Sequence, residues 1–178
     1  KQLYNSLGSE ALYSNGLIIK TSIDTNLQKI ADQVLVDGLI AHDKKTGWRG
    51  PLKNSKIIGK NLHKIRKKFK NPFPNKWKIF QIVNILEKKI KVIDQEGFQN
   101  IINLNSDNNK WLLNTNFSIG DIFFGEFLAN ELIIRQTPKV NGGIIVIDPH
   151  TGKILALSGG FSFNLSEFNR VTQAKRQP

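Results

Sequence analysis

From Trp77 to Gln136 the chain is cut by turn residues into short runs rich in β-branched and aromatic side chains. Residues 78–86, 89–94, 98–104, 122–128 and 132–136 read as strands. Glu87-Lys88, Gln95-Glu96-Gly97, Ser106-Asp107-Asn108-Asn109, Gly120-Asp121 and Ala129-Asn130 separate them. These runs are too short and too closely spaced for helices, so the region must bury its apolar side chains strand against strand. Five or six such strands predict a small antiparallel barrel of the OB kind. No internal repeat is visible.

The flanks have a different texture. Gly16 to Ile23 is β-branched and opens on glycine, which predicts a strand. Asp24 and Thr25 then offer helix-capping oxygens, with Gln28 three residues after Thr25 as in a capping box. Leu27, Ile30, Ala31, Val34, Leu35, Gly38 and Leu39 follow at helical spacing, so one face of this helix should be buried. Gly47 and Gly50-Pro51 end it. At the other flank, Gly142 to Ile147 and Lys153 to Ser158 enclose Asp148-Pro149-His150-Thr151-Gly152, a hairpin. The strand at 16–23 is expected to pair with this hairpin. Residues 1–15 are weakly patterned, with Leu3, Leu7, Leu12 and Tyr13 as their packing residues.

Formal net charge is +12, a value that first points to nucleic acid. Its distribution changes that. Ten basic residues and no acidic one lie between Lys53 and Lys78. Taking those ten from the 26 basic residues leaves 16 against 14 acidic ones, a net of +2. Within the stretch, Ile58, Leu62, Ile65 and Phe69 recur at helical spacing behind Asn54 or Ser55 as cap, and Pro72 and Pro74 stop the pattern. The lysines fill the opposite face. Lys60, Lys64, Lys67, Lys68 and Lys70 are the candidate partner-binding residues, for anionic lipid or phosphate; a plain solvated face is the alternative.

Cysteine is absent, which excludes disulfides and thiolate chemistry. His42, His63 and His150 have no metal-ligand spacing, and no metal or cofactor is expected. The glutamates are scattered, and Gly142-Gly143 lacks the lysine and helix start of a phosphate loop. Trp77, Phe80, Phe98, Trp111, Phe123, Phe124 and Phe127 are expected mostly in the barrel core. Trp48 and Arg49 are expected in a packed corner.

Three stretches resemble the class A penicillin-binding proteins, most closely their 1A group. The first runs from Gly16 to Pro51: Gly16-Leu17, Thr21-Ser22-Ile23-Asp24, Leu27-Gln28, Asp37-Gly38-Leu39 and Gly47-Trp48-Arg49-Gly50-Pro51. The second is Gln136-Thr137-Pro138-Lys139-Val140-Asn141-Gly142, leading into the hairpin and Gly159-Gly160-Phe161. The third is Ser166-Glu167-Phe168-Asn169-Arg170, then Thr172 to Pro178. The centre matches in position and strand texture. The resemblance implies a segment of a longer, bifunctional peptidoglycan synthase. Its upstream glycosyltransferase would polymerise glycan strands; its downstream transpeptidase would cross-link stem peptides and be acylated by β-lactams. The nucleophile, in an S-x-x-K motif, would lie a few residues past Pro178.

On this reading the fold is α+β, with an OB-like barrel inserted into an incomplete transpeptidase domain. Residues 1–51 form the linker and strand-helix segment. Residues 52–138 form the insert, with a basic helical lead-in at 52–76. Residues 139–178 form the hairpin and the loop toward the nucleophile. The segment itself is expected to be non-catalytic, a spacer or docking region. Its expected partners are the rest of the parent chain, an outer-membrane lipoprotein activator or peptidoglycan, with a dimer through uncovered transpeptidase elements. The resemblance places it in the periplasm, on a parent anchored in the inner membrane. An OB-type nucleic-acid-binding domain is the rival reading, although no nucleic acid is expected as partner. Lys45-Thr46-Gly47 and Ser106-Asp107-Asn108 spell two transpeptidase boxes, but in reversed order and with no serine-lysine pair to serve. They are expected to be turns.

Overall fold

The computed structural model describes residues 2–14, 17–59 and 62–175. It begins with α1 (Gln2–Tyr13), a helix the sequence pattern did not predict, broken at Gly8, whose φ of 78° is not helical. Leu7 and Tyr13 are exposed and Leu12 half-buried, so this helix packs less than expected; the Leu3 side chain lies outside the described set.

The expected strand at 16–23 does not form. Gly16 lies outside the described residues, and 17–23 has no strand ladder. Ile18 and Ile19 are exposed, with no apolar surface to hold them. α2 (Thr25–Lys45) follows, capped by Asp24, whose carboxylate accepts the Asn26 and Leu27 N–H groups. Of the two expected caps Asp24 takes the role, while Gln28, expected to complete a box with Thr25, bonds Asp32 and Leu157 instead. Ala31 and Leu35 are buried as expected. Ile30 and Val34 are exposed, while Val36, Leu39 and Ile40 turn toward the body of the fold.

Next come β1 (Lys53–Asn54), α3 (Leu62–Arg66), β2 (Trp77–Leu86), β3 (Lys89–Asp94), β4 (Gln99–Asn103), β5 (Asp121–Leu128) and β6 (Glu131–Arg135). The basic helix is thus one short piece. Asn54 is no cap: its strand pairs with β5, and its amide donates to Asp121 and to the Ile119 carbonyl. All strand pairs are antiparallel, in the order β1-β5-β2-β3-β4, with β6 beside β5.

Both faces of the central strands β2 and β5 are buried over most of their length, which explains their near-continuous apolar runs, whereas β3 and β4 alternate buried and exposed residues. Phe80 and Ile82 of β2 and Phe123 of β5 point to one core, with Ile90, Val92, Ile102 and Leu112. Trp77, Ile79, Ile122 and Phe124 point the other way, to Leu62 and Ile65 of α3 and to Phe161. Each fully buried side chain of this size contributes about 1.5–3 kcal/mol. Gly125 is required by the first core, because a Cβ there would sit 2.8 Å from the Phe80 ring. Phe98 and Phe127 depart from the core expectation and are exposed.

The described sheet is not a closed barrel. β4 approaches β6 without a hydrogen-bonded ladder. Asn109, fully buried, spans the gap instead. Its amide donates to the Asn103 and Leu132 carbonyls, and its carbonyl oxygen accepts the Ile134 N–H at 3.1 Å. One side chain does there what a strand pairing would do in a barrel.

β7 (Ile144–Ile147) and β8 (Ile154–Ser158) form the separate hairpin expected from the sequence. α2 packs on it.

Candidate functional site

The densest polar construction joins the sheet to the hairpin along α2. At the C-terminal end of α2, Asp43 is buried. It is bound by Arg49 Nη1 at 2.7 Å, Gln136 Nε2 at 2.8 Å and the Lys139 N–H at 3.2 Å. Arg49 also donates to the Thr137 carbonyl, and its own N–H donates to Gln136 Oε1. The chain enters the sheet past Arg49 and leaves it past Gln136, so one carboxylate ties both crossings to the helix. Burial pushes the Asp43 pKa up, but the hydrogen bonds from Arg49, Gln136 and Lys139 and the guanidinium charge outweigh it, leaving the carboxyl below its ordinary range.

Beside this clasp, Lys44 Nζ donates to the Asn108 carbonyl and lies 5.7 Å from the Trp111 ring centre. Burial, with Arg135 nearby, lowers its pKa, and Glu131 opposes the shift. Trp48 packs on Trp111 and Phe117, the corner expected for it.

The other end of α2 grips the hairpin. Gln28 Nε2 donates to the Leu157 carbonyl and Gln28 Oε1 accepts the Leu157 N–H, both near 3 Å. The Asp24 N–H donates to the Leu155 carbonyl and Ser22 Oγ to the Ile154 carbonyl. Of the expected pairing between 16–23 and the hairpin, the described residues show the Ser22 bond, with the Asp24 bond just beyond that stretch. A helix of 21 residues spans roughly 31 Å, so the two grips are well separated.

A second seam joins the sheet to the segment after β8. The buried Pro72 carbonyl accepts Ser162 Oγ at 2.6 Å and Asn164 Nδ2 at 3.1 Å. Phe73 meets Phe161 edge-on at 5.2 Å, and Trp77 lies 6.0 Å from Phe161. Trp77 Nε1 and Arg135 Nε both donate to Glu126. Two grooves flank Phe73. One of about 560 Å³ runs between α2 and the sheet, past Lys29, Asp37, Lys76 and Arg135. The other, of about 520 Å³, is lined by Pro72, Phe161 and the stretch to Asn169.

The glycine pairs have a packing reason. A Cβ on Gly143 would lie 2.6 Å from Val171, and one on Gly159 would collide with the Asn169 side chain. The Arg170 N–H donates to the Gly159 carbonyl, which lays 169–171 across the hairpin base.

Lys60 lies outside the described residues. Lys64, Lys67, Lys68 and Lys70 are exposed on α3 and the turn after it. They border none of the grooves. Lys45-Thr46-Gly47 is the end of α2, with Thr46 as its C-cap. Ser106-Asp107-Asn108 is the loop before Asn109, and its Asn108 side chain bonds Glu131. Both are turns, at separate places in the fold.

Sequence reasoning missed Asp43, although one signal was present. An acid in the last turn of a helix opposes the helix dipole, so a compensating cation was to be sought nearby. Gln28 was read as a cap, since nothing local shows its reach to Leu157.

No protein-family model matches the chain. Penicillin-binding protein 1A of Rickettsia prowazekii is 34% identical over 174 residues, which is 95% of this chain and 22% of that protein. Penicillin-binding protein 1A of Pseudomonas aeruginosa is 30% identical over 194 residues, covering 99% and 23%. The crystal structure of penicillin-binding protein 1A from Haemophilus influenzae covers 97% of the chain and 26% of its own, with a TM-score of 0.74 and 23% identity, a likeness of fold. The chain thus spans less than a quarter of the curated relatives it matches. Asp24, Gln28, Arg49, Gln136, Gly159 and Asn169, which are among the residues that carried the resemblance, take part in the junction, and over nearly its whole length the chain is a homologue of one segment of penicillin-binding protein 1A.

Proposed function

We propose that this segment is a non-catalytic spacer and docking region of a bifunctional peptidoglycan synthase. Residues 52–138 form an OB-like insert, and 1–51 with 139–178 form the transpeptidase elements around it. The observation that carries the reading is the Asp43 clasp, which binds both chain crossings to α2 and fixes the sheet's orientation on the hairpin. The Pro72 seam supports it, tying the sheet to the segment that leads toward the nucleophile of the parent. A rigid insert of this kind holds a docked partner at a set place relative to the transpeptidase. The partner would be an outer-membrane lipoprotein activator or peptidoglycan, and the region would work in the periplasm. None of the described helices is long and apolar enough to cross a membrane. The nucleic-acid reading loses its stacking surface, because Trp77, Phe80, Phe123 and Phe124 are buried.

Labelling with fluorescent penicillin tests the reading. The parent should be labelled and the 178-residue chain should not. A covalent adduct on any serine of this chain, or an unlabelled parent, overturns it.

A further inference from the structure

We propose that the basic end of the six-stranded sheet docks on an anionic phospholipid surface. α3 buries Leu62 and Ile65 in the second core, which turns Lys64, Lys67 and Lys68 to solvent, with Lys70 exposed just beyond. Residues 55–59 are pinned to the sheet. Gln81, fully buried in β2, accepts the Gly59 N–H at 2.9 Å and donates to the Ser55 and Ile57 carbonyls. That pinning leaves Lys56 exposed, with Ile57 58% and Ile58 38% exposed. Gly59 sits over Ile93, and the adjoining β3–β4 turn brings out Phe98 at 69% exposure.

The nearby carboxylates, Asp94, Asp121 and the exposed Glu96, are outnumbered by the exposed Lys56, Lys64, Lys67, Lys68 and Lys70. Asp94 and Asp121 are both buried. Asp94 is occupied by the Glu96 and Phe98 N–H groups, and Asp121 by Asn54 and the Ser118 N–H. Lys56, Lys64, Lys67, Lys68 and Lys70 form no ion pair among the described residues. Cations that surround projecting aliphatic and aromatic tips match a bilayer interface, which offers anionic headgroups above an apolar layer. Single-stranded nucleic acid needs a row of exposed aromatics, and Phe98 stands alone here. The proposal is independent of the cell-wall reading.

Co-sedimentation of the chain with phosphatidylglycerol–phosphatidylcholine vesicles tests it, with pure phosphatidylcholine vesicles as the neutral arm. The anionic vesicles should bind at least about tenfold tighter, and the difference should shrink with salt. Each lysine contributes about fivefold, so Lys64→Glu, Lys67→Glu and Lys68→Glu together, which remove three such charges and reverse them, should weaken binding at least about a hundredfold. Ile57→Ser with Ile58→Ser should weaken it with the charge intact. Lys88→Glu, Lys89→Glu and Lys91→Glu, in the β2–β3 turn and the first half of β3, should leave it nearly unchanged. The proposal is overturned by equal binding to both vesicles, by equal loss in the distal triple variant, or by no loss in the isoleucine variant. Stronger capture by a soluble acidic polypeptide or oligonucleotide of matched charge also overturns it.

Discussion

The six-stranded sheet and the β7–β8 hairpin are made of the same kind of residue, yet they end differently. In the sheet, Ile79, Phe80, Ile82, Ile122 and Ile133 are fully buried or nearly so, on both faces. In the hairpin only Ala156 is fully buried among the apolar residues, while Ile145 and Ile147 are exposed. Strand propensity does not separate them. What separates them is the number of neighbours. The sheet has α3 and Phe161 on one face and curls the other onto itself, with Asn109 across the gap. The hairpin has α2 on one side, and a two-stranded ribbon is marginal alone.

The hardest way to break this contrast is Phe123→Ala. It opens a cavity in the closed core and should cost about 3–5 kcal/mol, read by chemical denaturation. Amide exchange should show protection lost across β2 and β5. An unchanged midpoint would mean that the sheet is no better packed than the hairpin.

Asp43→Asn probes the join between the two regions. It keeps the side chain's shape but removes the charge from the clasp, and should cost about 2 kcal/mol. The sign with pH follows from the lowered carboxyl pKa. The stability from Asp43 is fully present above the ordinary carboxylate range and is lost as pH falls through the depressed value, below about pH 4. Denaturation midpoints should therefore fall with acid in the wild-type chain, and less steeply in the variant. Parallel acid profiles would show that the clasp does not depend on charge.

The smallest expected effect is that of Ile145→Thr, on the exposed face of the hairpin. Stability should move by less than about 0.5 kcal/mol. If the uncovered face drives dimerisation, sedimentation velocity should show less self-association in the variant. A monomeric wild type would remove the dimer.

Much of the fold is legible in order and type. The strand runs between Trp77 and Arg135, the hairpin around Asp148–Gly152 and the helix after Asp24 are set by local signals: period, turn residues and caps. The basic helix was over-read because Ile58 and Phe69 fit a helical spacing. Gln81 holds the Ile58 loop to the sheet, and that bond is remote in sequence. The strand at 16–23 was over-read for the opposite reason, since its β-branched residues find no surface to cover. At the site, Arg49, Gln136, Asn169 and the two glycine pairs stood out through the resemblance, but Asp43 and Val171 did not, and sequence spacing does not show which of these residues meet.

The sequence by itself determined where chain direction changes, which runs are strands, where positive charge gathers and that cysteine chemistry is absent. Those are consequences of neighbours along the chain. The tertiary structure decided that Gln28 would grip Leu157, that Asn109 would stand in for a strand pairing and that one buried carboxylate would tie the sheet to α2. Amide and carboxylate side chains bond whatever polar group the fold brings to them, and their spacing in sequence does not encode that choice.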